Sequence, residues 1–230
     1  MLLRQLFDRE TSTYTYLIAD EQTKRAALID PVREQLERDL ALLKELGLTL
    51  EYVLDTHVHA DHVTASGALR ARTGARTVGA PQGAKCADVQ AKHGDRLRVG
   101  ALQIEVLATP GHTDDSLSFL VEDNLFTGDA LLVRGTGRTD FQNGDAATLW
   151  HSLTKVLFAL PEDTAVWPGH DYKGHTRSTI GEEKRHNPRL AGKTEAEFVK
   201  LMSELGLPPP KHLAEAVPAN RECGQPSLPS

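Results

Sequence analysis

The sequence predicts an α/β fold in which several strands end in polar loops that share one edge of a sheet. Short β-prone runs alternate with helical leucine patterns, and loops that carry histidine or aspartate follow four of the predicted strands. The 230 residues suit one domain, and the hydrophobic fraction of 40% is sufficient for a buried core. We therefore expect a single domain over residues 1–230, with residues 194–230 as a C-terminal helix and tail.

The first part of the chain predicts a hairpin, a helix and a strand. The β-prone runs 13–19 and 26–30 flank a polar turn, which is typical of a hairpin. Pro31 begins a segment whose leucines recur at helical spacing until Gly47, so we expect a helix that covers the sheet. A strand over residues 52–55 then leads into a histidine-rich run, where α/β sheets usually place their ligands.

The remaining chain continues this alternation of helices and strands. Thr194 and Glu197 form the capping-box pattern of a helix N-terminus, and the Pro-rich stretch from Pro208 is predicted to be a tail. The predicted helices are residues 65–73, 146–160 and 194–205, and the predicted strands are residues 102–108, 117–121, 125–127 and 165–167.

Charge and hydropathy favour a small molecule as the partner of this protein. The net charge is −6 and there is no Lys/Arg-rich block, which argues against nucleic acid or an anionic membrane surface. Residues 1–10 lack the apolar core of a signal peptide, and no later stretch is apolar enough to span a bilayer. We expect a cytoplasmic location.

The two cysteines predict neither a disulfide framework nor a zinc site. Cys86 and Cys223 are far apart and show no CxxC spacing. We expect both to be reduced thiols with a structural role, because buried cysteine commonly acts as a small hydrophobic residue.

A dense cluster of metal-ligand residues follows the predicted strand 52–55. His57 and His59 are two positions apart, so an extended backbone points both rings to the same side, and Asp61 and His62 follow closely. Imidazole nitrogen and carboxylate oxygen suit zinc, iron and similar divalent metals. Metal binding is the interpretation we favour.

Three further loops offer one ligand each after a strand. His112, Asp129 and His170 each follow a glycine, which allows a close approach of the backbone or a sharp turn. The residue types alone leave two readings level, a dinuclear hydrolase and a mononuclear oxygenase. A non-catalytic metal sensor is less favoured, because a site in loops leaves coordination positions open, as catalytic metals require.

The order of these motifs resembles the metallo-β-lactamase superfamily over residues 13–170, which implies an αββα sandwich with the metal at one edge. The surrounding sequence is similar to one family within it, the persulfide dioxygenases. The similar segments are residues 127–142 (TGDALLVRGTGRTDFQ), 170–172 (HDY), 182–189 (EEKRHNPR) and 217–220 (VPAN), so the resemblance covers nearly the whole chain.

This resemblance implies one ferrous iron per chain, held by His57, His112 and Asp129, which would be the catalytic centre. The implied reaction oxidises glutathione persulfide with O2 to sulfite and glutathione. The alternative is a glyoxalase-II-like thioesterase, in which two zinc ions act on a glutathione thioester, and every ligand for it is present. In the iron enzyme, the residues that orient the ligands would be His59, Asp61, His62 and His170.

The substrate of such an enzyme carries two carboxylates that need cationic or polar partners. Arg138, Tyr172 and Lys173 lie after the ligand loops, and we expect them to bind the substrate. The acidic pair Asp114 and Asp115 departs from the family, whose members commonly have a small residue around position 115. A homodimer is expected by analogy alone.

Overall fold

Two six-stranded β-sheets pack face to face in this protein, and helices cover both outer surfaces. These features come from a computed structural model, which describes residues 1–225. The layers form the αββα sandwich expected from the sequence. Residues 226–230 of the predicted tail lie outside the described residues.

The first sheet is built from residues 2–90. Its first three strands are antiparallel, and its last four run parallel to one another. Helices α1 (Leu36–Glu45) and α2 (Ser66–Thr73) connect parallel strands, and α2 ends at Gly74 with a positive φ of 76°. In spatial order the strands are β1 (Leu2–Asp8), β2 (Thr13–Asp20), β3 (Arg25–Ile29), β4 (Thr49–Leu54), β5 (Arg76–Gly79) and β6 (Val89–Gln90).

The second sheet is antiparallel except for one parallel pair. In chain order its strands are β7 (Arg96–Val99), β8 (Leu102–Ala108), β9 (Leu117–Val121), β10 (Asn124–Gly128), β13 (Ala165–Pro168) and β14 (Ser178–Thr179). Their spatial order is β14-β13-β10-β9-β8-β7, and β10 and β13 are the parallel neighbours. A separate two-stranded ribbon consists of β11 (Leu131–Leu132) and β12 (Gly135–Thr136).

Helices pack on the outer face of the second sheet. The helix α3 (Ala146–His151) continues through a π-helical turn and a 3₁₀ turn as far as Ala159. Two further helices pack there, α4 (Ile180–His186) and α5 (Glu195–Ser203), and α5 has the predicted capping box formed by Thr194 and Glu197. The last helix, α6 (Leu213–Arg221), packs instead on Val63 in the loop that follows β4 of the first sheet.

Side-chain alternation along the strands separates three buried layers. In β2, Tyr16 and Ile18 face the space between the sheets, whereas Leu17 faces the layer under α1 and α2. In β10, Phe126 lies between the sheets and Leu125 packs under α3, α4 and α5. Each sheet is therefore covered on both faces, which fixes the register of its strands.

The structure adds elements that the sequence pattern did not predict. The first strand β1, the helix α4 and the helix α6 were not expected, and α6 lies within the predicted tail. Pro218 lies inside α6, which explains why propensity gave no helix there. Across residues 1–225, every helix is too short or too polar to span a bilayer.

The expectation of two reduced cysteines is wrong for this structure. Cys86 and Cys223 form a disulfide bond whose Cα atoms are 5.9 Å apart, across a sequence separation of 137 residues. Cys86 follows β5, and Cys223 follows α6. The bond ties the C-terminal helix to a loop of the first sheet, and sequence spacing gave no signal because the two residues meet only in the folded chain.

Candidate metal centre

The ligand loops converge because the strands that precede them end at one edge of the sandwich. His57 follows β4 in the first sheet, whereas His112, Asp129 and His170 follow β8, β10 and β13 in the second. A backbone hydrogen bond from Leu117 to the carbonyl of Thr56 joins the two sheets at this edge. The edge thus collects side chains from loops more than 100 residues apart in sequence.

His57, His112 and Asp129 lie together as one group of metal-ligand type. Each offers one atom, and the three atoms lie within 4.8 Å of one another. The Nε2 atom of His112 is 3.6 Å from Oδ2 of Asp129, and the rings of His57 and His112 are 4.9 Å apart. One ion can contact all three side chains.

Neighbouring groups fix which atom of each histidine is free. Nδ1 of His57 lies 3.0 Å from the hydroxyl of Thr56, and that hydroxyl donates to the carboxylate of Asp30. The hydroxyl must therefore accept from Nδ1–H. Nδ1 of His112 donates to the carbonyl of Arg138 at 2.7 Å. Both rings consequently keep Nε2 as a lone pair, which is the form that binds a metal.

His170 and Asp61 form a hydrogen-bonded relay behind Asp129. Nδ1 of His170 lies 2.7 Å from Oδ1 of Asp129, and its Nε2 lies 2.9 Å from Oδ2 of Asp61. The same oxygen of Asp61 also meets Nδ1 of His62 at 2.7 Å and the hydroxyl of Thr13 at 3.1 Å. Both nitrogens of His170 are thus engaged, and Asp129 keeps Oδ2 for the group it shares with His57 and His112.

His59 is held on the other side of the cluster. Its Nε2 lies 3.0 Å from Oδ1 of Asp30, and its ring centroid lies 4.3 Å from that of His62 with the planes tilted by 36°. Within residues 1–225, Nδ1 of His59 and Nε2 of His62 are buried and have no hydrogen-bond partner. His59, Asp61 and His62 form a second group whose ligand atoms lie within 4.8 Å of one another.

Burial and neighbouring charges shift the pKa values of His57, His170 and Asp129 in different directions. Burial, together with the nearby His59 and His112, lowers the pKa of His57 well below its usual value, so its ring is neutral. Burial alone would lower the pKa of His170, but the carboxylates of Asp129 and Asp61 raise it well above its usual value. Burial would raise the pKa of Asp129, yet the neighbouring His170, His112 and His57 together lower it. His170 is thus arranged as an ion-pair partner of Asp129 and Asp61.

The donor set fits a divalent transition metal. Two imidazoles and one carboxylate, each oriented by a hydrogen bond from behind, form the face typical of non-heme Fe(II) oxygenases. Two glycines allow the backbone to pass close to the ligands and the residues that orient them. A Cβ atom on Gly137 would lie 2.7 Å from Nδ1 of His112, and Gly128, with a φ of 48°, lies against Thr56.

A cleft of about 660 Å³ opens over this group. One wall is the ribbon β11–β12, and another is the Pro-rich segment 207–212 that precedes α6. The predicted substrate residues Arg138, Tyr172 and Lys173 all line it. The sequence did not single out segment 207–212 as part of the site.

Arg138 is already engaged by the protein. Its guanidinium pairs with both oxygens of Asp140 at 2.7 and 2.8 Å and donates to the carbonyls of Leu207 and Pro208. Four of its five N–H groups are therefore used, and one remains for a bound molecule. Arg138 also lies over the ring of Phe141, 4.6 Å from its centroid.

The segment 182–189 braces the ribbon wall of the cleft. Glu183, which is fully buried, pairs with Arg134 in the ribbon turn. Asn187 donates to the carbonyl of Gly135 at 3.0 Å, and Arg189 donates to the carbonyl of Thr136 at 2.7 Å. The family-like motif thus shapes the wall and does not contribute a metal ligand.

The acidic pair at positions 114 and 115 has two different roles. The carboxylate of Asp115 is buried and accepts from the backbone N–H of Val58 at 2.8 Å, next to His57. Burial raises its pKa. Asp114 accepts from the side chain of Asn143 at 3.0 Å. Asp115, the residue that departs from the family, therefore supports the backbone beside His57 through this hydrogen bond.

Comparison with known proteins places this geometry in a family. The family described as the Metallo-beta-lactamase superfamily matches residues 8–85 and 88–170. The human protein named "Persulfide dioxygenase ETHE1, mitochondrial" is 48% identical over 227 residues, which cover 97% of this chain and 89% of that protein. The bovine protein of the same name is 48% identical over 233 residues, covering 100% of this chain and 91% of that protein.

A solved structure gives the same result. The crystal structure of ETHE1 from Myxococcus xanthus superposes with a TM-score of 0.97 at 65% identity and covers 98% of this chain and 100% of that chain. The chain belongs to the metallo-beta-lactamase superfamily and, within it, to the family of the ETHE1 persulfide dioxygenases.

Proposed function

We propose that this protein is an iron-dependent persulfide dioxygenase that oxidises glutathione persulfide with O2 to sulfite and glutathione. The observation that carries the proposal is the group of His57, His112 and Asp129, in which each side chain is fixed from behind and keeps one free atom. The names of the human, bovine and Myxococcus relatives support the reaction class.

In this proposal the three side chains would hold one ferrous iron, and the cleft over them would admit persulfide and O2. Activation of O2 for transfer to the terminal sulfur is the chemistry that ferrous iron supplies when bound. Both oxygen atoms of O2 go to that sulfur, and water then cleaves the sulfur–sulfur bond. The balance is one persulfide, one O2 and one water to one thiol, one sulfite and two protons.

The surrounding residues maintain the ligands in their binding form. Thr56 and Asp30 keep the His57 ring in the correct tautomer, and the carbonyl of Arg138 does the same for His112. His170 holds Oδ1 of Asp129 so that Oδ2 stays directed at the other two ligands. These contacts are made by groups of the protein itself, which lowers the cost of organising the site.

We further propose that cations at the cleft hold the two carboxylates of the glutathione part. Lys173, Lys211 and Tyr172 are exposed and line the cleft, so two cations and one hydroxyl are available there. Arg138 has one N–H group left for the substrate, and it also holds segment 207–212 in place. Charge-assisted hydrogen bonds of this kind suit carboxylates taken partly out of water.

The glyoxalase-II-like alternative is less favoured for a structural reason. A dinuclear site would need His170 as a metal ligand, whereas here its nitrogens orient Asp129 and contact Asp61. The names of the relatives at 48% identity also point away from a thioesterase.

The deciding experiment measures oxygen uptake and sulfite release by the iron-loaded protein with glutathione persulfide. We expect one O2 consumed for each sulfite formed, and S-lactoylglutathione should be a poor substrate. Turnover of the persulfide at the same rate without oxygen would overturn the proposal, and so would rapid thioester hydrolysis by a protein that holds two zinc ions.

Two expectations from the sequence stay predictions. The human and bovine relatives are named as mitochondrial, so the cytoplasmic location expected here needs a fractionation experiment. The homodimer needs a measurement of mass in solution.

A further inference from the structure

The C-terminal helix α6 places a buried amide against the loop that follows β4. We call residues 56–64 the ligand loop. Asn220 is 3% exposed, and its Oδ1 accepts from the backbone N–H of Thr64 at 2.8 Å. Its Nδ2 donates to the carbonyls of His59 at 2.9 Å and His62 at 2.8 Å. One side chain therefore binds three backbone groups of the ligand loop.

This arrangement specifies an amide at position 220. Two carbonyls face one end of the side chain and one N–H faces the other, so only one orientation of an amide satisfies all three groups. A carboxylate of the same shape has no donor and would face two carbonyl oxygens. A hydroxyl donates only one hydrogen bond.

The ligand loop depends on such contacts because it has no regular structure of its own. The carbonyls of His59 and His62 have no other hydrogen-bond partner among residues 1–225. Buried backbone groups without a partner are costly, so Asn220 stabilises this conformation of the loop.

The part of the ligand loop that Asn220 binds, residues 59–62, is connected to the proposed iron ligand Asp129. Asp61 lies between the two anchored carbonyls, and its carboxylate meets Nε2 of His170 at 2.9 Å. Nδ1 of His170 in turn meets Oδ1 of Asp129 at 2.7 Å. A shift of the ligand loop would therefore move Asp61 and, through His170, the orientation of Asp129.

The amide is itself held in place from three sides. Ala216 and Ala219 of α6 pack on Val63 of the ligand loop. The N–H of Gly67 donates to the carbonyl of Cys223 at 2.8 Å, and the disulfide fixes Cys223 to Cys86. The helix is thus fastened to the ligand loop, to α2 and to the loop that follows β5.

We propose that Asn220 is a positioning residue for the iron site, acting through the ligand loop on Asp61, His170 and Asp129. The inference rests on the proposed function, since it assigns Asn220 a role in holding the iron of that enzyme. Asn220 touches none of the three proposed ligands, so its effect is on how firmly they are arranged.

The test compares Asn220→Asp and Asn220→Ala with the matched control Asn187→Asp. Asn187 is equally buried and also makes three hydrogen bonds, to Gly135, Glu183 and Arg189, but none to the ligand loop. For each iron-loaded protein, the rate of ferrous iron loss to a chelator is measured, with kcat and KM for the persulfide. Thermal unfolding of the metal-free proteins measures stability.

We expect both Asn220 variants to lose iron about ten to a hundred times faster than the wild type, which is typical for groups that orient metal ligands. Asn187→Asp should lose comparable stability and keep its iron. For Asn220→Ala, kcat should fall while KM stays close to the wild-type value.

Equal iron retention in the Asn220 and Asn187 variants would overturn the inference. If neither Asn220 variant folds, Asn220 is a folding residue and the assignment is equally wrong. If the wild type takes up no iron, the proposed function fails first, and the two failures are thereby distinguished.

Discussion

Two groups of histidine and aspartate lie side by side at the edge of the sandwich, and they differ in which atoms are left free. In the group of His57, His112 and Asp129, every side chain is tied from behind and directs one free atom toward the other two. In the group around Asp61 and His170, the polar atoms are largely used by one another. The same residue types can therefore form a metal site or an internal hydrogen-bond relay, depending on their partners.

The two groups differ mainly because several partners share one oxygen atom of Asp61. Oδ2 of Asp61 meets His62, His170 and Thr13 at distances of 2.7 to 3.1 Å, so a metal there would compete with three partners. Within residues 1–225, Nδ1 of His59 and Nε2 of His62 have no such partner. The first two of the four predictions below test this contrast, and the other two concern the cleft and the disulfide.

The largest effect is expected from removing a proposed ligand. His57→Ala, His112→Ala and Asp129→Ala should each abolish iron binding, because a three-residue site has no spare ligand. His170→Ala should retain much of its iron, since both nitrogens of His170 serve hydrogen bonds. Elemental analysis of metal per chain measures this. Two tightly held zinc ions per chain, with the second lost in His170→Ala, would contradict the contrast.

A smaller effect is expected from breaking the relay. Asp61→Ala removes the partner of His170 and should weaken iron affinity about ten- to a hundredfold without changing the stoichiometry of one iron per chain. Competition with a chelator measures the affinity. The matched control is Asp114→Ala, which loses only a contact to Asn143 and should bind iron like the wild type. If Asp61→Ala lowers the stoichiometry from two metals to one, Asp61 is a ligand.

The third prediction concerns substrate binding at the cleft. Arg138→Ala should remove a charge-assisted contact worth roughly 1.5–3 kcal/mol, or about tenfold to over a hundredfold in kcat/KM, with iron content unchanged. Arg138→Lys should recover only part of the loss, because a point charge cannot reproduce a planar fork.

Asp140→Ala separates the two contributions of Arg138. It removes the salt bridge that fixes the guanidinium but keeps the cation. A strong loss in kcat/KM would assign Arg138 to holding segment 207–212. Wild-type kinetics in Arg138→Ala would show that it contacts no substrate.

The smallest effect on the metal group is expected from the disulfide, which lies away from it. Cys86→Ser should lower the free energy of unfolding by about 2–4 kcal/mol, because the unfolded chain loses a long covalent loop. Urea unfolding of the metal-free protein measures this, and Cys223→Ser should give the same value. If reduction of the wild type leaves its stability unchanged, the bond does not stabilise the fold.

Much of the fold followed from periodicity. The strands that precede His57, His112, Asp129 and His170 were predicted with small errors at their ends, because each has a strong local pattern. The helix α6 was not predicted, because proline disfavours a helix in isolation. It forms here because Ala216 and Ala219 bury against Val63.

The candidate site was predictable by residue type and less so by role. His57, His112 and Asp129 stood at strand ends in the sequence, and the structure brings them together. Asn220 appeared only as part of a family-like motif, and segment 207–212 appeared only as a tail. No local pattern indicated a role for either, because Asn220 binds His59 and Pro208 binds Arg138, which lie far away in the sequence.

The sequence by itself determined the class of fold and the residue types available for a metal, since hydrophobic alternation and ligand-bearing loops are local features. The tertiary structure decided which atoms of those residues stay free. His170 meets Asp61 across 109 positions, Asn220 meets His59 across 161, and Cys86 meets Cys223 across 137. Hydrogen-bond partners at such separations are chosen by the packing of whole layers, and no short pattern in the chain encodes them.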